Sequence, residues 1–262
     1  MMNELQAVSL YDQQNPFDTP LAIEKSNYTA YIDGALCRLL DWRRPKAKSN
    51  RVHSLFRSFV QDVDYSCLGA RAAINGGHYR FGLYEMMGSQ ASTAGLARDL
   101  RAFVAERPLM RTQYATFIAF FDDAERGSEL EFENTLWRQL QELHNLDRQY
   151  YNYDCSVSAN PNSPDFGFSF GGEAFFVVGM HPQASRVARR FSTKALAFNA
   201  RSQFDALRAQ GLYGRFQSRV RDREIALQGS LNPNLSEFGE SSEARQYGGR
   251  PVDSSWQCPF NV

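Results

Sequence analysis

Four histidines and four cysteines are all that the sequence holds of the residue types that most often bind transition metals. The cysteines lie far apart, at Cys37, Cys67, Cys155 and Cys258, with no Cys-x-x-Cys pair. The histidines, His53, His78, His144 and His181, are equally isolated. A zinc or non-haem iron centre needs two or three nitrogen ligands together, so neither is expected. A haem needs only one protein ligand and stays within reach of such a chain. Widely spaced cysteines suit free thiols in a reducing compartment better than a disulfide framework. No run approaches the ~20 apolar residues that span a bilayer, and the first twenty residues show no basic-then-apolar signal. A cytoplasmic protein that makes no use of a membrane is the expectation. Charge of one sign is also lacking, with 29 Lys plus Arg against 29 Asp plus Glu. That balance argues against a dedicated nucleic-acid binder. Finally there is no GxSxG, HExxH, P-loop or GxGxxG motif.

What is present is an ordinary globular composition. Apolar residues make up 43% of 262 and charged residues 22%, close to soluble-protein averages. Such a chain can enclose a core and a ligand cavity. Twenty Phe and twelve Tyr suit a large flat ligand and suit an ordinary core equally. Arg far outnumbers Lys and clusters over residues 186–190 and 215–223. These clusters read either as solvated helix faces with ion pairs or as an anion site, since Arg grips carboxylates bidentately.

Periodicity predicts a mixed fold. Residues 1–20 read as an N-terminal arm and residues 21–262 as one domain. Helices are expected over about 23–41, 52–60, 93–106, a stretch from Ser128 to Leu143, 199–211 and 213–227. Ser89 or Ser92 is placed to cap the third of these, and Asn199 the fifth. Strands are expected over 78–84, 113–121 and 194–198. A hairpin joins 166–170 to 173–180 at Gly171-Gly172. The segment 69–73 is a run of small residues ahead of a turn at Asn75-Gly76-Gly77. The fold class is therefore α+β, a single domain with a mainly antiparallel sheet flanked by helices. Residues 229–262 are poor in aliphatics yet carry Trp256, Cys258 and Phe260. Burying such side chains is worth roughly 1.5–3 kcal/mol each, so this tail is expected to wrap back onto the domain.

A few residues are candidates for chemistry. His181 follows an apolar strand, with Pro182 behind it and Arg186, Arg189 and Arg190 close in sequence. An axial histidine with arginines for carboxylates is a workable haem arrangement; a plain turn histidine is the alternative. His144 sits late in a helix, where an imidazolium suits the dipole. Cys67 and Cys258 are either small buried hydrophobes or thiolate donors for iron. Glu243 lies inside the tail, placed to pair with a cationic ligand or with Arg245 or Arg250.

Taken in order, these pieces resemble the YqcI/YcgG family, marked by an N-terminal Phe-Pro-Cys motif and a C-terminal Cys-Pro-Phe motif. Tyr65-Ser66-Cys67 takes the first place and Cys258-Pro259-Phe260 the second. Phe168 to Gly172, Phe175 to Gly179, His181-Pro182, Ala184-Ser185-Arg186, Asn232-Pro233 and Ser242 to Tyr247 look like the family's middle and late blocks. Tyr65-Ser66 departs from the usual Phe-Pro, while the thiol is kept. The resemblance implies a haem-dependent N-oxygenase that uses dioxygen on an amine nitrogen. Its substrate would be a small guanidine- or 2-aminoimidazole-type molecule of natural-product biosynthesis. It further implies haem iron held by His181 as axial ligand, with Arg186 and Arg190 on the propionates. Glu243 would hold the cationic substrate, and Cys67 and Cys258 would lie near each other beside the cofactor. Electrons would come from an external donor, and a homodimer is compatible with the reading. Two other readings stay open: a thiol-based enzyme using Cys67 or Cys258, and a non-enzymatic protein that binds haem or another flat ligand.

Overall fold

A computed structural model describes residues 14–262 except 42, 111, 113, 124–126 and 237–238. It holds one seven-stranded sheet in the order β2-β1-β3-β4-β7-β6-β5. The strands are β1 (Thr29–Ile32), β2 (Ala35–Arg38), β3 (Tyr79–Tyr84), β4 (Thr116–Phe121), β5 (Phe168–Phe170), β6 (Glu173–Met180) and β7 (Lys194–Ala200). The helices are α1 (Pro20–Lys25), α2 (Ala47–Gln61), α3 (Leu68–Asn75), α4 (Gln90–Glu106), α5 (Glu129–Asp147), α6 (Arg201–Ala209), α7 (Tyr213–Gln228) and α8 (Ala244–Tyr247). Only β3 and β4 run parallel, and α4 makes the crossover such a pair requires. All other pairings are antiparallel, so the α+β reading with a mainly antiparallel sheet holds.

Strand alternation divides the core in two. Phe117, Ala119 and Phe121 of β4 join Leu196 and Phe198 of β7 and the apolar stripes of α4 and α5. Ile118 and Phe120 turn the other way, to Phe56 and Val60 of α2 and Ile74 of α3. All six residues of β4 are buried, as expected for a central strand covered on both faces. On α5, Ser128 and Glu131 form a reciprocal capping box, which satisfies two backbone donors at the helix start.

The helix expected over 23–41 is not formed. Only α1 is helical there, and β1 and β2 make a hairpin. Asp33 (φ 48°) and Gly34 (φ 85°) form its turn, and two successive left-handed residues give the twist a tight hairpin needs. The small-residue run at 69–73 is part of α3, capped by the Cys67 sulfur. Asn199 lies within β7, and Ala200 is the cap position of α6. The first thirteen residues of the expected arm lie outside the described residues. Its described end is packed, with Phe17 stacked on Phe170 at 5.2 Å.

The tail wraps back as expected. Tyr247 and Phe260 are fully buried, and Trp256 and Cys258 pack against the α4–α5 side of the core. Phe260 sits edge-on to His144, Phe166 and Phe168. No helix among the described residues is long and apolar enough to cross a membrane.

Candidate functional site

On the α2–α3 face, the even-numbered side chains of β6 do not meet a filled core. Phe176, Val178 and Met180 instead floor a cavity of about 260 Å³. Ile118 and Ala197 extend that floor, α3 forms one wall, and α7 lies across the top. A second chamber of about 200 Å³ adjoins it, bounded by Arg201, Arg208, Tyr213, Ser241 and Glu243. Phe176, Phe204, Phe216 and Gln246 border both chambers. The two spaces thus make one elongated site with an apolar end and a polar end, the form that most small-molecule sites take.

Cys67 is the soft donor at the apolar end. It lines the chamber at the N-cap of α3, and its Sγ accepts the Ala70 amide at 3.5 Å. Burial pushes its thiol up, while the Ala70 and Gly69 amides pull the other way. Tyr65 lines the same chamber, its hydroxyl also pushed up by burial. Arg189 and Arg186 line it too. The Arg189 Nη1 donates to the carbonyls of Gly179 (3.3 Å) and Tyr247 (3.1 Å). Arg186 pairs with Glu224 of α7 through Nε at 3.0 Å and donates to the Ser230 carbonyl at 2.6 Å.

Glu243 is the acid of the polar end among the described residues. Tyr247 Oη donates to its Oε1 at 2.7 Å, and Arg201 Nη1 stands 3.6 Å from its Oε2. Burial raises this carboxyl to about 7, against the opposing pull of the Tyr247 hydrogen bond and Arg201. A proton on Glu243 therefore comes and goes near neutrality.

The remaining expected site residues fall elsewhere. His181 lines neither chamber. Its ring stacks on Phe132 of α5 at 4.3 Å, on the opposite side of the sheet from the cavity. Burial lowers the imidazole to about 4, and Nε2 is buried with no hydrogen-bond partner among the described residues. Arg190 is exposed and spends its guanidinium on the Ala184 (2.7 Å) and Ser185 (3.1 Å) carbonyls. Cys258 does not neighbour Cys67. The tail delivers it to the α4–α5 face, whereas Cys67 packs on the α2–α3 face, so the sheet stands between the two thiols. His53 bonds Tyr79 Oη at 2.6 Å inside the core, and His144 packs on Phe260. No cluster of three or more His, Cys, Asp or Glu among the described residues is arranged to hold a metal ion.

Several site residues were not singled out from the sequence. Arg201 is one: it follows an apolar strand, and only the fold brings it beside Glu243. Glu224 and Phe216 share a helix face at i, i+8 spacing, a pattern that also marks any solvated amphipathic helix.

A family model described as the YqcI/YcgG family matches residues 56–261, a segment that contains the lining of both chambers. No curated protein and no solved structure matches the chain.

Proposed function

The chain belongs to the YqcI/YcgG family, and on that footing we propose that it is a haem-dependent N-oxygenase acting on a small guanidine- or 2-aminoimidazole-type nitrogen. One observation carries the reading: among the described residues, the apolar chamber holds a single thiol, Cys67, and adjoins a polar chamber with a single carboxylate, Glu243. One soft ligand, aromatic walls and arginines in the same chamber make a donor set that fits a flat iron macrocycle with carboxylates. Cys67 would hold the iron, with Arg186 and Arg189 on the same side of the site. Binding to a metal inverts the effect of burial on a thiol and favours the thiolate. His181, set behind β6 against Phe132, would have to leave its packed position to serve.

Bound haem would supply dioxygen activation. The balance for one oxidation is an amine plus dioxygen, two electrons and two protons, giving the N-hydroxylamine and water. The electrons come from an external donor. The chain's own part is to orient and to manage protons. Glu243 accepts a hydrogen bond from the substrate N–H, and Tyr247 Oη fixes the carboxylate. Its raised proton affinity suits a group that both takes and returns a proton near neutral pH. Phe176, Phe204 and Phe216 give the boundary between the chambers an aromatic lining.

The thiol of Cys67, half-buried and with its proton affinity raised by burial, is poorly suited to nucleophilic catalysis without a metal. Absorption spectroscopy of the protein expressed with a haem precursor tests the proposal. A Soret band is expected, and it should persist in His181→Ala and be lost or shifted in Cys67→Ser. A band lost in His181→Ala but kept in Cys67→Ser would return the iron to the histidine. No band and no uptake of added haemin would overturn the haem reading. Uptake without turnover of any guanidine or aminoimidazole would leave a binding or sensor protein.

A further inference from the structure

Of the elements around the cavity, α7 is held least by apolar packing. Its residues Phe216, Val220, Arg221 and Glu224 face the first chamber. None of its sixteen residues is buried, whereas nine of the nineteen in α5 are. A helix seated on a filled core buries its apolar stripe; α7 lies over open space instead. We infer that α7 is a hinged lid that gates access to the Cys67 chamber, latched by Glu224 on Arg186 and by Arg223 on the Tyr65 carbonyl. The gate stands for any ligand the chamber takes, haem or not.

The latches are polar and few. Arg186, 5% exposed, grips Glu224 near the end of α7 and Ser230 just beyond it, its Nη1 meeting Ser230 Oγ at 3.1 Å. Arg223 donates to the Tyr65 carbonyl through Nε at 3.2 Å and Nη2 at 2.9 Å, two residues before Cys67. Gln228 closes the far end, donating to the Ser185 carbonyl at 3.1 Å and accepting the Val187 amide at 2.7 Å. The ring contacts of α7 are Phe216 stacked on Tyr114 at 6.2 Å and Arg208 over the Tyr213 ring at 4.4 Å. Elements with few buried apolar contacts open at lower free energy than the core.

The ends of α7 are built to turn. Gly211 (φ +68°) precedes it and Gly229 (φ +77°) follows it, both in the left-handed region, and an added Cβ would meet nothing within 4 Å at either. Glycines with empty surroundings absorb backbone rotation without dragging a neighbour, which is what a hinge needs. Rotation about this pair lifts Phe216 and Val220 off the chamber and frees the Tyr65 carbonyl from Arg223.

Iodoacetamide labelling of the full chain, expressed without haem precursor and read peptide by peptide by mass spectrometry, tests the lid. Cys155, exposed, should label first and Cys67 slowly. With rates corrected for thiol ionisation, because the Glu224 charge also raises the Cys67 thiol, Glu224→Gln should speed labelling of Cys67 by roughly tenfold, the change expected for loss of one charge-assisted hydrogen bond. Cys258, across the sheet, should keep its rate. Arg223→Gln reads the second latch independently and should act in the same direction should Glu224→Gln fail to fold. Unchanged Cys67 rates in the folded variants would overturn the lid, as would Cys67 and Cys258 accelerating together, which marks general loosening. Because the reagent needs no iron, failure here is separable from failure to bind haem.

Discussion

Glu243 shows how one side chain is set by two kinds of neighbour. Arg201 and the Tyr247 hydroxyl favour its charge, and burial disfavours it more, so the carboxyl sits at about 7 instead of its ordinary 4.5. A folded-state value above the unfolded one means the native protein binds more protons between about pH 4.5 and 7, so this group's contribution falls as pH rises through that window. A shift of this size amounts to about 3 kcal/mol. Chemical denaturation of Glu243→Gln and the parent at pH 4.5 and pH 7.5 should show the variant gaining about that much relative to the parent at the higher pH. Parallel stability profiles would mean that Glu243 is not desolvated as described. Glu243 and Cys67 were legible from their motif positions, because a short chain segment carries each. Their association was not, since 176 residues and most of the sheet separate them.

At the scale of elements, the hairpin β1–β2 and the helix α5 fell on opposite sides of what the sequence discloses. In α5 the 3.6-residue stripe, the Ser128 cap and the Glu131 return bond point the same way, and the expected helix is the observed one. Over 23–41 the apolar residues are dense enough to satisfy helical spacing by accident. The informative signal there was the dipeptide Asp33-Gly34, which outranks periodicity because both residues must take positive φ. Gly34 stands at φ +85° with nothing near its absent Cβ, so the cost of a side chain there is purely conformational. Gly34→Ala should destabilise the protein by about 1 kcal/mol in denaturant melts, with no change in Cys67 labelling. No measurable loss would mean that the turn adopts another conformation. The strands β4, β6 and β7 were legible as apolar runs, yet their order in the sheet was not. The faces of β4 and β7 are covered on both sides and β6 lays one face along the cavity, so nothing in their residue patterns names their neighbours.

Across the whole molecule, the tail ties the two faces of the sheet together. Glu243 borders the polar chamber, Tyr247 plugs the core four residues later, and Phe260 closes the opposite face. Tyr247 Oη lies 2.9 Å from the Phe175 carbonyl and accepts the Phe168 amide at 3.2 Å, and its ring stacks on Trp137 at 5.5 Å. It anchors the tail upstream of Phe260, so damage at the end of the chain should stop at Tyr247. Phe260→Ala removes a fully buried ring and should cost about 3–5 kcal/mol, measured by denaturant unfolding. Labelling of Cys67 and the pH response of Glu243 should be unchanged, because the anchor remains. Tyr247→Phe keeps the ring and removes the hydroxyl, so it should lose less stability while raising the proton affinity of Glu243 further, since the hydrogen bond that favours the carboxylate is gone. If Phe260→Ala instead moved the Glu243 midpoint, the tail would be one cooperative strap, and the site would depend on the Cys-Pro-Phe end of the chain directly.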